Sequence, residues 1–283
     1  MVLLLGVGIG LQAQPKAATH VFPPLRLKNY DQMTTIGEAH LRVSYALNAD
    51  DLSDASTYVD LQYLQVGDSI AKYYSAFLSN KEYLVNKWIK EHPQAASVPR
   101  WLGEGGKRDD CWSEYQYSEI FKEGNEIVIY LRMPRGFRTN YWYRETYPQQ
   151  EWTIQSDTST ICGYVCQKAV CTFCGRSFEA WFSPDIPVGM GPWKFGGLPG
   201  LILKLYDKDR LYRFECVNIE QGRFPVTKYD YSQYKEEERT RLLKLQRKIN
   251  EDYKNLIGIK STDLRTGQPV VNMPLPYEPL ELE

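Results

Sequence analysis

The chain has 283 residues, 43% of them hydrophobic, enough for one large or two small domains with a real core. Its 34 Lys and Arg balance 35 Asp and Glu, which excludes the basic excess of a general nucleic-acid or acidic-membrane binder. With 21 Tyr and 7 Trp, residues that favour pleated, half-buried strands, the first expectation is an antiparallel β-rich protein.

In chain order, the first segment is the uncharged apolar run "VLLLGVGIGLQAQ", beginning at residue 2. It has signal-peptide length, lacks a basic n-region and reaches the small residue Ala13, which predicts export with cleavage between Ala13 and Gln14. No Cys stands at this boundary for acylation, and no other run approaches the ~18 apolar residues of a membrane span. The expected location is the periplasm or envelope, or the exterior. Residues 14–40 read as a Pro-containing leader and 41–283 as a single β-rich domain.

Within that domain "LRVSYAL" (41–47), "YVDLQYLQV" (58–66) and "EIVIYLRM" (126–133) alternate with the period of strands that have one wet face. Between them, Ser79 and Glu82 have capping-box spacing, Leu84, Val85, Trp88 and Ile89 share a face, and Pro93 follows, predicting a short amphipathic helix. The Gly-containing stretch 94–110 reads as a surface loop. After 151 come a strand through "GYVCQKAVCTF", a turn near Gly175, a strand "RSFEAWF", the loop "SPDIPVGMGPWKFGG" and a strand "LILKLY". "DKDR" at 207–210 is turn chemistry, so 200–219 should form a hairpin. Leu242, Leu245, Ile249, Tyr253 and Leu256 recur at helical spacing in a charged segment, predicting a helix docked on the core. The fold class is therefore α+β: a mostly antiparallel, curved sheet with one or two packed helices.

The stretch "GGLPGLILKLYD" (196–207) carries the most structure-specific chemistry. Pro199 and Gly200 have the type II turn pattern, with Gly200 supplying the positive φ. Beyond the bend Leu201, Leu203 and Leu205 face one side, and Ile202, Lys204 and Tyr206 the other. Gly196 and Gly197 permit close approach of a backbone or a ligand, or a tight corner. The preceding loop then offers Trp193, Lys194 and Phe195, with Trp181, as a candidate binding rim. Arg176 is either a structural ion pair or carbonyl anchor, or a fork for a carboxylate or phosphate ligand.

Cys111, Cys162, Cys166, Cys171, Cys174 and Cys216 make an even number in an exported chain and read first as disulfides. Four of them crowd between 162 and 174, but only Cys171 and Cys174 form a close doublet, so no metal or other cofactor is expected. On one extended strand Cys162 and Cys166 would lie ~13 Å apart, beyond disulfide reach, so neighbouring strands or a turn must supply partners. His20, His40 and His92 all lie in the first third of the chain, which leaves a histidine-based hydrolase unsupported. Glu179 and Asp185 are a conceivable carboxylate pair for hydrolysis, and no residue is assigned a catalytic role.

"GLPGLI" (197–202), together with "GYVCQKA" (163–169), "GRSFEAWF" (175–182), "DIPVGMGPWKFGG" (185–197) and "YEPLELE" (277–283), resembles the GLPGLI family of Bacteroidetes-type exported proteins. The blocks occupy 163–207 and 277–283 in the family's order. The resemblance implies export to the envelope and carries no catalytic residue across. The run of hairpins with a late helix is also similar to the half-barrel of lipoprotein carriers. The expected function is a non-enzymatic module binding a hydrophobic or peptidic ligand or an envelope partner. A carboxylate hydrolase and a structural assembly component are the alternatives. An aromatic-rimmed concavity would favour binding, and two convergent carboxylates would favour hydrolysis.

Overall fold

The structure, a computed structural model, describes residues 28–99, 102–103, 105–107, 112–134, 136–258, 261–262, 267–270 and 277–283. The apolar leader, its cleavage point and Cys111 lie outside the described residues.

Among the described residues twelve strands form one sheet: β1 (Met33–Leu47), β2 (Asp60–Val66), β3 (Ile70–Ser75), β4 (Ser118–Glu123), β5 (Glu126–Leu131), β6 (Tyr141–Thr146), β7 (Thr153–Ile161), β8 (Tyr164–Phe173), β9 (Arg176–Ser183), β10 (Leu201–Asp207), β11 (Arg213–Tyr229) and β12 (Lys235–Glu236). Their spatial order is β12-β6-β5-β4-β3-β2-β1-β11-β10-β9-β8-β7. All pairs are antiparallel except β12 with β6. The sheet is curved and unclosed, as the alternating sequence runs predict. Two meanders, β1 to β6 and β7 to β11, meet where β1 pairs with β11.

β1 begins at Met33, well ahead of the expected run and inside the stretch read as leader. Residues 33–38 pair with the far end of β11 as a ribbon wet on both faces, so no apolar period marks them. The β7–β8 and β8–β9 hairpins turn on Cys162–Gly163 (φ 49° and 82°) and Cys174–Gly175 (φ 46° and 75°). Two central residues at positive φ make type I′ turns, whose twist suits a hairpin. In both, a Cys occupies a place that Asn, Asp or Gly fills with less strain.

Three helices accompany the sheet: α1 (Ala76–Glu91), α2 (Glu114–Tyr117) and α3 (Arg239–Leu256). α1 starts earlier than the capping-box spacing predicts, because Ser75 rather than Ser79 accepts the Leu78 N–H, at 3.0 Å. Glu82 is instead buried and paired with Arg132 at 2.5 Å, so its carboxylate is committed to the sheet. Phe77 sets α1 against Ala46, Ala49 and Tyr58 on one face of the sheet. α3 docks on the other face through Leu242, Ile249 and Tyr253, the stripe read from the sequence, whereas Leu256 is exposed. The main core lies on that face, where residues of both meanders, the loop after β9 and Leu280 join one cluster. Among the described residues, no helix is long and apolar enough to cross a membrane.

Candidate functional site

The expected rim does not open to solvent. Trp193, Lys194 and Phe195 are 3%, 1% and 0% exposed, which corrects their placement at the mouth of the sheet. The Gly- and Pro-rich loop folds inward, and its carbonyls, stranded away from water, are met by side chains. Tyr147 Oη donates to the Phe195 carbonyl at 2.9 Å, Gln150 Nε2 to that of Lys194 at 3.2 Å and Trp152 Nε1 to that of Gly196 at 2.7 Å. Phe195 packs edge-on against Phe178 and Phe173.

Lys194 Nζ lies 2.8 Å from Glu145, 2.9 Å from Tyr143 Oη and 3.1 Å from Glu281. Glu281 also accepts from Trp193 Nε1 at 2.6 Å and from Arg239 Nε at 3.0 Å. Burial alone would push the Glu281 carboxyl up, but Lys194 and Arg239 outweigh it and hold the group below its ordinary value. Arg176 completes the attachment. Its Nε and Nη2 donate to the Pro279 carbonyl at 2.9 and 2.7 Å, and its Nη1 meets Asp207 at 3.2 Å. In the structure it is thus a carbonyl anchor and ion pair, with its fork engaged rather than open to a ligand. The blocks at 175–197 and 277–283 form one clamp.

The turn chemistry also differs from the expectation. Gly197 has the positive φ, 81°, and Gly200 does not. Gly200 is required for space instead: a Cβ there would stand 2.1 Å from the Ser183 carbonyl oxygen. The bend is therefore not the type II turn that Pro199-Gly200 spells.

Of the predicted rim, only Trp181 reaches an open surface. Cross-strand register puts Lys168, Trp181, Lys204 and Glu215 in one row, and Val170, Glu179, Tyr206 and Arg213 in the next, across β8, β9, β10 and β11. Directly opposed residues share a face, so both rows stand on the side away from the main core, most of them partly exposed and Tyr206 covered by its neighbours. Trp181 is half-buried, with its Nε1 given to Glu179 at 3.1 Å and the Lys168 ammonium 5.9 Å from its ring. Lys168 pairs with Glu179 at 2.9 Å and Lys204 with Glu215 at 2.5 Å. Tyr206 donates its hydroxyl to Glu179 and lies under the Arg210 guanidinium, 3.2 Å from the ring centre. Two concavities of about 460 and 520 Å³ flank this shelf and share Tyr206.

Glu179 does not meet Asp185 there. It faces Tyr206 and Lys168, while Asp185 sits on the loop beyond β9, near Cys166. Partial burial raises the Glu179 pKa, but hydrogen bonds from Tyr206, Lys168 and Trp181 outweigh it and hold the group below its ordinary value. Cys162, Cys166, Cys171, Cys174 and Cys216 carry free thiols in the structure. Among the described residues no group of three or more His, Cys, Asp or Glu could hold a metal ion. Lys168, Lys204, Tyr206, Arg210 and Glu215 were not singled out by sequence. Alternation in "LILKLYD" marks Lys204 and Tyr206 as wet, but only register shows that they join Trp181.

The family model described as "N-glycanase peptide, N-terminal domain" matches residues 119–241, less than half of the chain, from β4 to the start of α3. Every shelf residue falls inside that match. Two solved crystal forms of PNGF-II, in space groups C2 and P21, are similar at 14% and 15% identity with TM-scores of 0.46 and 0.47. They cover 74% and 76% of this chain, which spans about a third of theirs (33% and 34%). No curated protein sequence matches the chain.

Proposed function

We propose that the chain is an exported, non-catalytic module of the GLPGLI type that holds an oligosaccharide on the β8–β11 shelf. The observation that carries this reading is the Trp181 ring, set between Lys168 and Lys204 with its N–H already used, beside two fixed carboxylate–ammonium pairs. A sugar ring offers an apolar C–H face to stack on an indole and a rim of hydroxyls for charge-assisted hydrogen bonds. The walls of the two concavities mix polar and apolar side chains, as a sugar's hydroxyl rim and C–H face require, whereas the sequence alone suggests a hydrophobic or peptidic ligand or an envelope partner. The N-glycanase name of the matching model points to the same ligand class. Export is supported by the apolar leader and small residue at Ala13. A hydrolase is less well supported, because a general acid needs a raised pKa and Glu179 is held low by its three partners.

A second reading is favoured by β7, a nine-residue strand at the edge of the sheet, with Ile154 exposed. A peptide could add there as a further strand. Titration of the purified chain with free N-linked oligosaccharides, followed by calorimetry and tryptophan fluorescence, tests the first. Binding should weaken about 10-fold or more in Trp181→Ala, the loss of one stacking contact. If no oligosaccharide binds, or if Trp181→Ala binds like the parent, the shelf reading fails. An extended peptide bound equally by both proteins would establish the β7 reading in its place.

A further inference from the structure

The β10–β11 ladder is short: Lys204, Leu205 and Tyr206 pair with Glu215, Phe214 and Arg213, and register slips between Ile202 and Lys204 on the other side of β10. Beyond Lys204 the two strands part, and the tip of the β7–β8 hairpin sits at the seam. Ile161 and Cys162 from that tip line the same concavity as Lys204, Glu215 and Cys216. There the Cys162 thiol lies 3.1 Å from the Cys216 carbonyl oxygen, and the Cys216 thiol lies 3.6 Å from the Asn218 carbonyl oxygen, so both sulfurs stand at the same seam. Cys162 is exposed and Cys216 buried. Cys162 also occupies a left-handed position, φ 49°, which a β-carbon-bearing residue enters at a cost. Turn geometry alone would favour Asn or Gly there, so the thiol calls for another reason.

We infer that Cys162 and Cys216 are a dithiol that closes to a disulfide, stapling the β7–β8 tip across the seam between β10 and β11. The neighbouring Cys216 side chain brings the Cys162 pKa down to about 7, against an opposing contribution from burial, and Cys162 is the exposed one of the two, so Cys162 is the attacking thiolate. It displaces one thiolate from a small disulfide oxidant, forming a mixed disulfide. Cys216 passes its proton to the departed thiolate and attacks the Cys162 sulfur, releasing the second thiolate, which takes up from water the proton that Cys162 gave up on ionising. Two protein thiols are oxidised and one oxidant disulfide is reduced to two thiols. Cys166, the third thiol nearby, is buried, bonded to the Tyr164 carbonyl and pushed up to about 11 by desolvation, which keeps it protonated.

The full chain is equilibrated in oxidised or reduced glutathione, alkylated, and analysed by intact mass, peptide mapping and thermal melting. The expected result in oxidised buffer is a crosslinked peptide joining Cys162 to Cys216. The Tm should stand about 5–10 °C above the reduced protein, since the bridge closes a long loop of the unfolded chain. Cys162→Asn, which suits the turn, should lose both the crosslink and the Tm difference, and Cys166→Ala should keep them. Cys162 and Cys216 both alkylated in oxidised buffer, a dominant crosslink through Cys166, or an unchanged Tm difference in Cys162→Asn would each overturn the inference. None of these readouts depends on an oligosaccharide, so the fate of the shelf reading is separate.

Discussion

Two regions use almost the same chemistry, an indole, lysines and glutamates, to opposite effect. In the clamp, Trp193, Lys194 and Glu281 are buried and each polar atom is taken by a neighbour, with Arg239 and Glu145 completing the balance. On the shelf, Trp181, Lys204 and Glu215 make similar pairs, but Lys204 is still 33% and Glu215 15% exposed. Water screens the outer pairs and competes for them, so each contributes little to stability. In the clamp a missing partner leaves a charge stranded in a medium of low dielectric. Composition does not separate a fastening from a ligand surface, and neither does pairing, since both regions are paired; what separates them is whether a face remains open to solvent.

Breaking the clamp should give the largest effect. Glu281→Ala leaves Lys194 and Arg239 facing one another and should cost about 3–5 kcal/mol, read as a lower urea midpoint. Trp193→Ala should cost a similar ~3–5 kcal/mol through the cavity it opens, where its reading from sequence as part of a binding rim would leave folding intact. A clamp variant that melts like the parent would erase the distinction between the two regions.

Asp60 sharpens the same comparison, because it is a buried carboxyl with hydrogen bonds from Ser75 and Gln62 rather than cations around it. Burial pushes it up to about 8, where Glu281, flanked by cations, is held low. The folded state then binds the Asp60 proton more tightly than the unfolded chain does. Its contribution is therefore complete below the ordinary carboxylate range and is lost as pH rises from about 4 to about 8. Asp60→Asn should flatten that part of the profile, so that the variant gains on the parent between pH 5 and pH 8 in urea titrations. An identical pH slope in both proteins would show that Asp60 does not carry it. The smallest effect on folding belongs to the shelf: Trp181→Ala should shift stability by no more than about 1 kcal/mol, because the side chain is only half-buried. A loss as large as that of Trp193→Ala would make Trp181 part of the core.

Much of the sheet was legible in the chain because strands with one wet face write their period locally. The runs at 41–47, 58–66 and 126–133 lie on β1, β2 and β5, and "DKDR" does turn β10 into β11. The α3 stripe was legible for the same reason. What escaped was whatever depended on distant partners. The Ser79–Glu82 spacing misplaced the start of α1 because Glu82 answers to Arg132, fifty residues on. Trp193 and Lys194 looked like loop residues because Glu281, their counterpart, is 87 residues beyond Lys194. Gly200 signalled a turn, yet its reason is the Ser183 carbonyl across the loop. The shelf was half legible: Trp181 was named, but its row exists only once β8, β9, β10 and β11 are in register.

The joining of the two meanders through β1 and β11 also bears on how the protein is made. Within each meander a strand finds its partner next to it in sequence, whereas the Arg42–Glu220 pair on the β1–β11 seam closes 178 residues of chain. Loop closure of that length is slow compared with hairpin formation. During synthesis β1 emerges first and β11 far later, so β1 is an unpaired edge for most of the time the chain is growing. The nascent protein is therefore most exposed to wrong strand pairing through its middle rather than its ends, and a chaperone serving it would have to guard β1 until β11 arrives.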